Sequence, residues 1–314
     1  MSTLARSSAP LRGSITPLVT PFRDGRVDEA ALRDLVEFQI AEGSHGVSVT
    51  GTTGEPSALS MAERELVIAV AADAVAGRVP FLAGTGSNNL EDTIHLTRHA
   101  ERAGASAVLV IVPYYIRPTQ AGMYGFFRAV ADVTSLPVVL YNIPGRTAQN
   151  LEPETMARLR RDAPNIVGVK EANVNLEQVS RDLALCGRDF LVFSGIEALC
   201  FPMLALGGSG HVSATANVAP RQVAELYDLC AAGRWDQARD LHYRLLPLNE
   251  ALFWETNPVP VKTALGMMGK IVPDVRLPLA PLAEGTRERL RAVLASYGLV
   301  SGAAADAAGG LGLT

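Results

Sequence analysis

The feature that most constrains this chain is an alternation. Eight short apolar runs recur along it, at residues 15–19, 46–49, 80–83, 107–112, 137–141, 166–170, 190–193 and 211–213. Each is followed by a stretch with helical spacing. The runs are rich in Val, Ile and Leu, the pattern of parallel strands covered on both faces. Helix start signals fall between them: Asp28 before 29–42, Ser60 with Glu63 as a capping box, and Thr119 before 120–134. Gly43, Gly77, Gly104 and Gly187 stand where helices would end, and read as C-terminal caps.

Eight strand–helix units predict an α/β chain folded as a (β/α)8 TIM barrel. The rival is an open doubly wound sheet. The count of eight, with no dinucleotide-binding fingerprint after the first run, favours the barrel. The barrel is expected over residues 13–232, after a flexible N-terminal extension at 1–12. Helical patterns continue at 220–232, 235–253, 260–268 and 285–297. The first closes the barrel, and the others form an appended C-terminal helical unit over 233–300. The tail 301–314 is rich in Gly and Ala and is expected to be disordered.

Composition removes several classes of function. With 314 residues, 48% of them hydrophobic, the chain can bury one large core. A net charge of −4 lacks the basic footprint of a nucleic-acid binder. No uncharged apolar stretch is long enough for a membrane span, and residues 1–10 carry no apolar signal segment. Cys186, Cys200 and Cys230 are odd in number and widely spaced. They form neither a disulfide framework nor a metal motif, which points to a reducing cytoplasm. Of 28 basic residues only three are lysines: Lys170, Lys262 and Lys270. A GC-rich coding sequence produces such a bias by itself. A lysine kept in that background is still notable, because arginine cannot form an imine.

In a barrel, chemistry collects at the C-terminal ends of the strands. Lys170 ends the run Ile166-Val-Gly-Val-Lys170. Burying an ammonium disfavours its charged form, and a neutral amine attacks a ketone to form an imine. The alternative is a structural ion pair with Glu171, and strand position alone leaves both open. Thr52 and Thr53 lie between Gly51 and Gly54, where backbone and hydroxyl donors can approach a carboxylate. Tyr141 ends the strand beside that of Lys170 and offers a phenol for proton transfer, which Tyr115 can extend. Arg146 follows in a Pro-Gly turn and suits a carboxylate. His95 and His99 have metal-compatible spacing but no third ligand, so a surface helix is expected there. The glycine-rich run 207–210 reads as a turn, not a phosphate loop.

At these residues the chain resembles the dihydrodipicolinate synthase / N-acetylneuraminate lyase family of class I aldolases, from about Gly13 to Leu299. The motifs are Gly51-Thr-Thr-Gly-Glu55, Pro113-Tyr-Tyr115, Tyr141-Asn-Ile-Pro-Gly-Arg146, Gly168-Val-Lys-Glu171 and Asn257-Pro-Val-Pro-Val-Lys262. The resemblance implies that Lys170 forms the Schiff base with pyruvate and that Tyr141 is the general acid/base. It implies a proton relay through Thr52 and Tyr115, with Tyr115 reaching into a neighbouring subunit. Thr53, Gly195 and the backbone of Val212 would hold pyruvate, and Arg146 the carboxylate of L-aspartate 4-semialdehyde. Neither a metal nor an organic cofactor is implied. The resemblance implies a homotetramer built as a dimer of dimers, the usual arrangement of the family. The expected activity is synthesis of 4-hydroxy-tetrahydrodipicolinate for lysine. The alternatives are a related aldolase or dehydratase for a sugar- or hydroxyproline-derived 2-oxo acid, and a non-catalytic 2-oxo acid-binding protein.

Some positions depart from the family pattern. Ile196-Glu197 replaces a pair of acidic residues, and His211 stands where an apolar residue is usual. Both are candidates for contact with the second substrate. Pro56, Met61 and Arg64 replace the Ser and His of lysine-inhibited relatives, although Tyr114 is kept. That argues against feedback inhibition by lysine.

Overall fold

Each apolar run forms a strand, and the eight strands close on themselves. The computed structural model describes residues 7 and 9–301. Its barrel strands are β1 (Gly13–Pro17), β2 (Gly46–Val49), β3 (Phe81–Gly84), β4 (Ala107–Ile111), β5 (Val138–Asn142), β6 (Ile166–Glu171), β7 (Leu191–Ser194) and β8 (Gly210–Val212). All pair in parallel with their sequence neighbours, and β8 pairs with β1 to close a (β/α)8 TIM barrel. Strand ends fall within two residues of the apolar runs.

The alternation inside one strand explains why the runs look uniformly apolar. In β5, Val139 and Tyr141 point into the barrel, whereas Val138 and Leu140 pack in the layer beneath the helices. Both faces are dry, so neither set of positions tolerates polar residues freely.

The outer ring is α1 (Glu29–Ala41), α2 (Met61–Val75), α3 (Leu90–Ala103), α4 (Gln120–Ala131), α5 (Pro153–Asp162), α6 (Leu176–Cys186), α7 (Cys200–Ala205) and α8 (Pro220–Ala231). Asp28 caps α1 through Ala31 N–H, Ser60 and Glu63 form a reciprocal capping box on α2, and Thr119 caps α4 through Gly122 N–H. Gly104 and Gly187 cap α3 and α6. For α1 and α2 the cap falls one residue earlier, on Glu42 and Ala76.

Three further helices follow: α9 (Trp235–Ala251), α10 (Val259–Met267) and α11 (Glu284–Ser296). α9 packs against α8 around Leu226, Leu241 and Leu245. The segment before α10 returns to the strand ends, which proves important for the site. The three cysteines are free. Within the expected N-terminal extension, residues 1–6 and 8 lie outside the described residues, while Leu11 packs against the barrel interior. Of the expected tail, 302–314 lie outside the described residues. Among the described residues no helix is long and apolar enough to cross a membrane.

Candidate active site

Tyr141 and Lys170 are register partners across β5 and β6, so their side chains leave the sheet on the same face. Lys170 Nζ lies 4.3 Å from the centroid of the Tyr141 ring. The Tyr141 hydroxyl is 3.3 Å from Thr52 Oγ1. Both side chains of the pair are buried, Lys170 with 5% exposure.

Glu171 does not pair with Lys170. As the next residue on β6 it points to the opposite face, in register with Asn142 and Ser194. Its carboxylate accepts from Asn142 Nδ2 at 3.0 and 3.1 Å, from Asn173 N–H at 2.8 Å and from Gln178 Nε2 at 3.3 Å. Burial pushes Glu171 up to about 7, against those hydrogen bonds. Asp182, nearby on α6, has both carboxylate oxygens buried without a hydrogen-bond partner among the described residues. Burial and then the Glu171 charge push it up to about 8.

The turn after β2 is built under strain. Thr50 has φ 54°, left-handed backbone that a β-branched residue rarely adopts. Its hydroxyl lies 2.7 Å from both Val49 O and Gly84 O, shares its one proton between them, and holds the residue there. Thr52–Gly54 then forms one 3-10 turn, closed by left-handed Glu55. Thr20 Oγ1 donates to Gly54 O at 2.7 Å, fixing the turn to the end of β1.

Gly195 has a steric role. A Cβ at this position would lie 2.9 Å from Lys170 Cε and 2.9 Å from Ala172 Cβ. The missing side chain is therefore the space the lysine occupies. Val212 belongs to the barrel-interior cluster with Tyr141 and Phe193.

Two cavities adjoin the site and share Arg146 in their walls. One, of about 300 Å³, is lined by Thr52, Tyr141, Arg146 and Asn257 among others. The second, of about 400 Å³, is lined by Gly195, Glu197, Asn249 and again Arg146. Glu197 Oε1 accepts from Ala214 N–H at 2.7 Å and Ser213 Oγ at 3.3 Å. Burial pushes its carboxyl above the usual range, while the Ala214 N–H and the Lys170 ammonium pull the other way.

The structure does not bring His211 to this cluster. His211 is in register with Ser14 and Ser194, on the outward face, while Val212 faces inward. Its Nε2 lies 3.1 Å from Val223 O on α8, and burial pushes the ring down to about 4. Tyr115 stands apart in another way. It is 87% exposed, with φ 75°, and lines neither cavity. His95 and His99 share a face on α3, turned toward Glu65 on α2.

The model of the dihydrodipicolinate synthetase family matches residues 10–297. The chain belongs to that family. It is 52% identical over 290 residues to a 4-hydroxy-tetrahydrodipicolinate synthase of Thermus thermophilus, covering 92% of this chain and 97% of the relative. A dihydrodipicolinate synthase crystal structure from Aquifex aeolicus superposes with a TM-score of 0.91 at 43% identity, covering 92% of this chain and 99% of that one. A chloride-inhibited dihydrodipicolinate synthase from Acinetobacter baumannii, complexed with pyruvate, superposes with a TM-score of 0.90 at 40% identity, covering 93% and 100%.

The segment Asn257-Pro-Val-Pro-Val-Lys262 enters the site in a way that its sequence did not reveal. Asn257 Nδ2 donates to Thr53 Oγ1 at 3.0 Å. Lys262 Nζ donates to Glu55 Oε1 at 2.5 Å, with side-chain exposures of 0% and 2%. Both contacts join residues more than two hundred positions apart. Pro56, Arg64 and Tyr114 line the first cavity beyond Thr52. Arg64 fills its end, donating from one guanidinium nitrogen to Gly84 O and Gly86 O.

Proposed function

We propose that this chain condenses pyruvate with L-aspartate 4-semialdehyde to give 4-hydroxy-tetrahydrodipicolinate. One observation carries the reading. The buried Lys170 has the Tyr141 ring at 4.3 Å, and the Tyr141 hydroxyl is 3.3 Å from Thr52. The nearest acid in sequence, Glu171, is engaged elsewhere.

The chemistry follows from that geometry. The Lys170 amine attacks C2 of pyruvate, and the carbinolamine loses water as Tyr141 supplies the proton. The iminium withdraws electrons, so Tyr141 can then take a proton from the methyl carbon and leave an enamine. The enamine carbon attacks the aldehyde, whose oxygen takes a proton and becomes the 4-hydroxyl. The amino group from the semialdehyde attacks C2, displaces Lys170 and closes the ring. Thr52 relays protons to and from Tyr141. Thr53 holds the pyruvate carboxylate, aided by backbone at Gly195 and Val212. Arg146, which borders both cavities, takes the carboxylate of the aldehyde. Glu197 borders the second cavity, where that substrate enters.

The enzyme acts in the cytoplasm as a homotetramer built from two tight dimers. The exposed, left-handed Tyr115 supports this arrangement, because it would complete the relay of a neighbouring subunit.

The test is turnover of purified enzyme with pyruvate plus aspartate semialdehyde, beside a panel of sugar-derived 2-oxo acids. Robust turnover is expected only with the semialdehyde. Turnover confined to the sugar acids would replace this reading with a related lyase. No turnover by wild type on any of them would favour a binding protein.

A further inference from the structure

A threonine hydroxyl has one proton to give. Where Thr53 sends it depends on what else the oxygen touches. Thr53 Oγ1 accepts a hydrogen bond from Asn257 Nδ2 at 3.0 Å. With a donor already on the oxygen, its own proton stays free for a bound anion. The other end of the same amide shows the cost of that arrangement. Asn257 Oδ1 is buried and has no hydrogen-bond partner among the described residues. Turned over, the amide would satisfy that oxygen with the Thr53 hydroxyl, and Thr53 would have no proton left to offer.

The segment carrying Asn257 is gripped at a second point. Lys262 Nζ meets Glu55 Oε1 at 2.5 Å, and Arg276 N–H reaches Glu55 Oε2 at 3.3 Å. Glu55 is two residues beyond Thr53. Buried ion pairs add little net stability, because desolvation offsets their attraction. Here the pair sets the register between residues 257–262 and the Thr52–Glu55 turn.

We propose that Asn257 is a positioning residue: by donating to Thr53 Oγ1 it directs the Thr53 hydroxyl proton toward the pyruvate carboxylate. The inference rests on Thr53 being the carboxylate-binding group. Asn257 lines the cavity that also holds Thr52 and Tyr141, so it acts from within the site wall.

The test is a set of steady-state constants for Asn257→Ala, Asn257→Asp, Thr53→Val and the two double variants. Asn257→Ala is expected to raise the KM for pyruvate about tenfold, leaving kcat and the KM for the aldehyde nearly unchanged. Asn257→Asp only accepts near neutral pH, captures the Thr53 proton, and is expected to raise that KM about tenfold more. Acidification that protonates the introduced carboxyl should recover pyruvate binding in Asn257→Asp but not in Asn257→Ala. In the Thr53→Val background the two Asn257 changes should become equal. Unchanged pyruvate KM in Asn257→Ala, or wild-type binding in Asn257→Asp, would overturn the proposal. So would an Asn257→Asp penalty that persists undiminished with Thr53→Val, since that is simple charge repulsion. Circular dichroism verifies folding, and Asn257→Ser replaces Asn257→Ala should the latter misfold. If Thr53→Val alone leaves the pyruvate KM unchanged, the carboxylate role of Thr53 fails instead.

Discussion

Tyr141 and Lys170 sit opposite each other on adjacent parallel strands, and the ammonium of one lies 4.3 Å from the ring centroid of the other. The ring and the hydroxyl have separable roles. Tyr141→Phe keeps the ring against Lys170 and removes only the oxygen that meets Thr52. We expect kcat to fall by about 10²–10³-fold with the pyruvate KM changed only slightly, as for loss of a general acid/base. Steady-state kinetics measure this, and a kcat near wild type would remove Tyr141 from the proton path.

Gly195 makes room for the reacting lysine. In Gly195→Ala the new Cβ would meet Lys170 Cε and Ala172 Cβ at 2.9 Å each. The Ala172 side is rigid, so the lysine must move. Displacement of a reacting group by a fraction of an ångström to one ångström costs up to about 10²-fold. We expect kcat/KM to drop by at least about tenfold while the melting temperature moves little. Full activity in Gly195→Ala would show that the lysine has slack.

The Glu55–Lys262 pair predicts a non-additive stability pattern. Lys262→Met leaves a buried carboxylate without its partner, which costs about 3–5 kcal/mol. Glu55→Gln combined with Lys262→Met removes both charges and should recover much of that loss. Denaturant unfolding of the two single variants and the double variant checks the pattern. Equal, additive losses would mean that the pair is not coupled.

The outward face of β6 predicts how stability follows pH. Glu171 and Asp182 are raised to about 7 and about 8 in the fold, above their ordinary carboxylate values. A raised acid favours the fold in its neutral form, so its contribution is full below its ordinary value of about 4 and is lost progressively as pH rises from there to the folded value. His211 acts in the reverse sense. Lowered to about 4, it costs stability as pH falls below its ordinary value. With two raised acids against one lowered histidine, the melting temperature should therefore decline from about pH 4.5 to about pH 8 and level off above that. Asp182→Asn should flatten that decline. An unchanged decline in that variant would assign it to other groups.

Much of this was readable in the chain because parallel strands with two dry faces announce themselves as apolar runs. The ends of β1 and β8 shifted by one or two residues, since Gly13 and Gly210 join the ladder without any apolar side chain. The facing of individual residues is also readable from the strand period. Period two puts Glu171 on the face opposite Lys170, and His211 on the face opposite Val212. An ion pair within β6, or a substrate contact from His211, conflicts with that alternation. Asn257 and Lys262 carried no such local signal. Their partners, Thr53 and Glu55, lie at the other end of the chain and meet them only when the C-terminal segment folds back over the strand ends.

The central claim is that Lys170 forms an imine with a 2-oxo acid, and reductive trapping tests it most directly. The enzyme is incubated with pyruvate and borohydride, digested and analysed by mass spectrometry. A reduced pyruvyl adduct is expected on the peptide carrying Lys170, and none in Lys170→Ala. An unmodified Lys170, or an adduct on Lys262 or Lys270 instead, would contradict it.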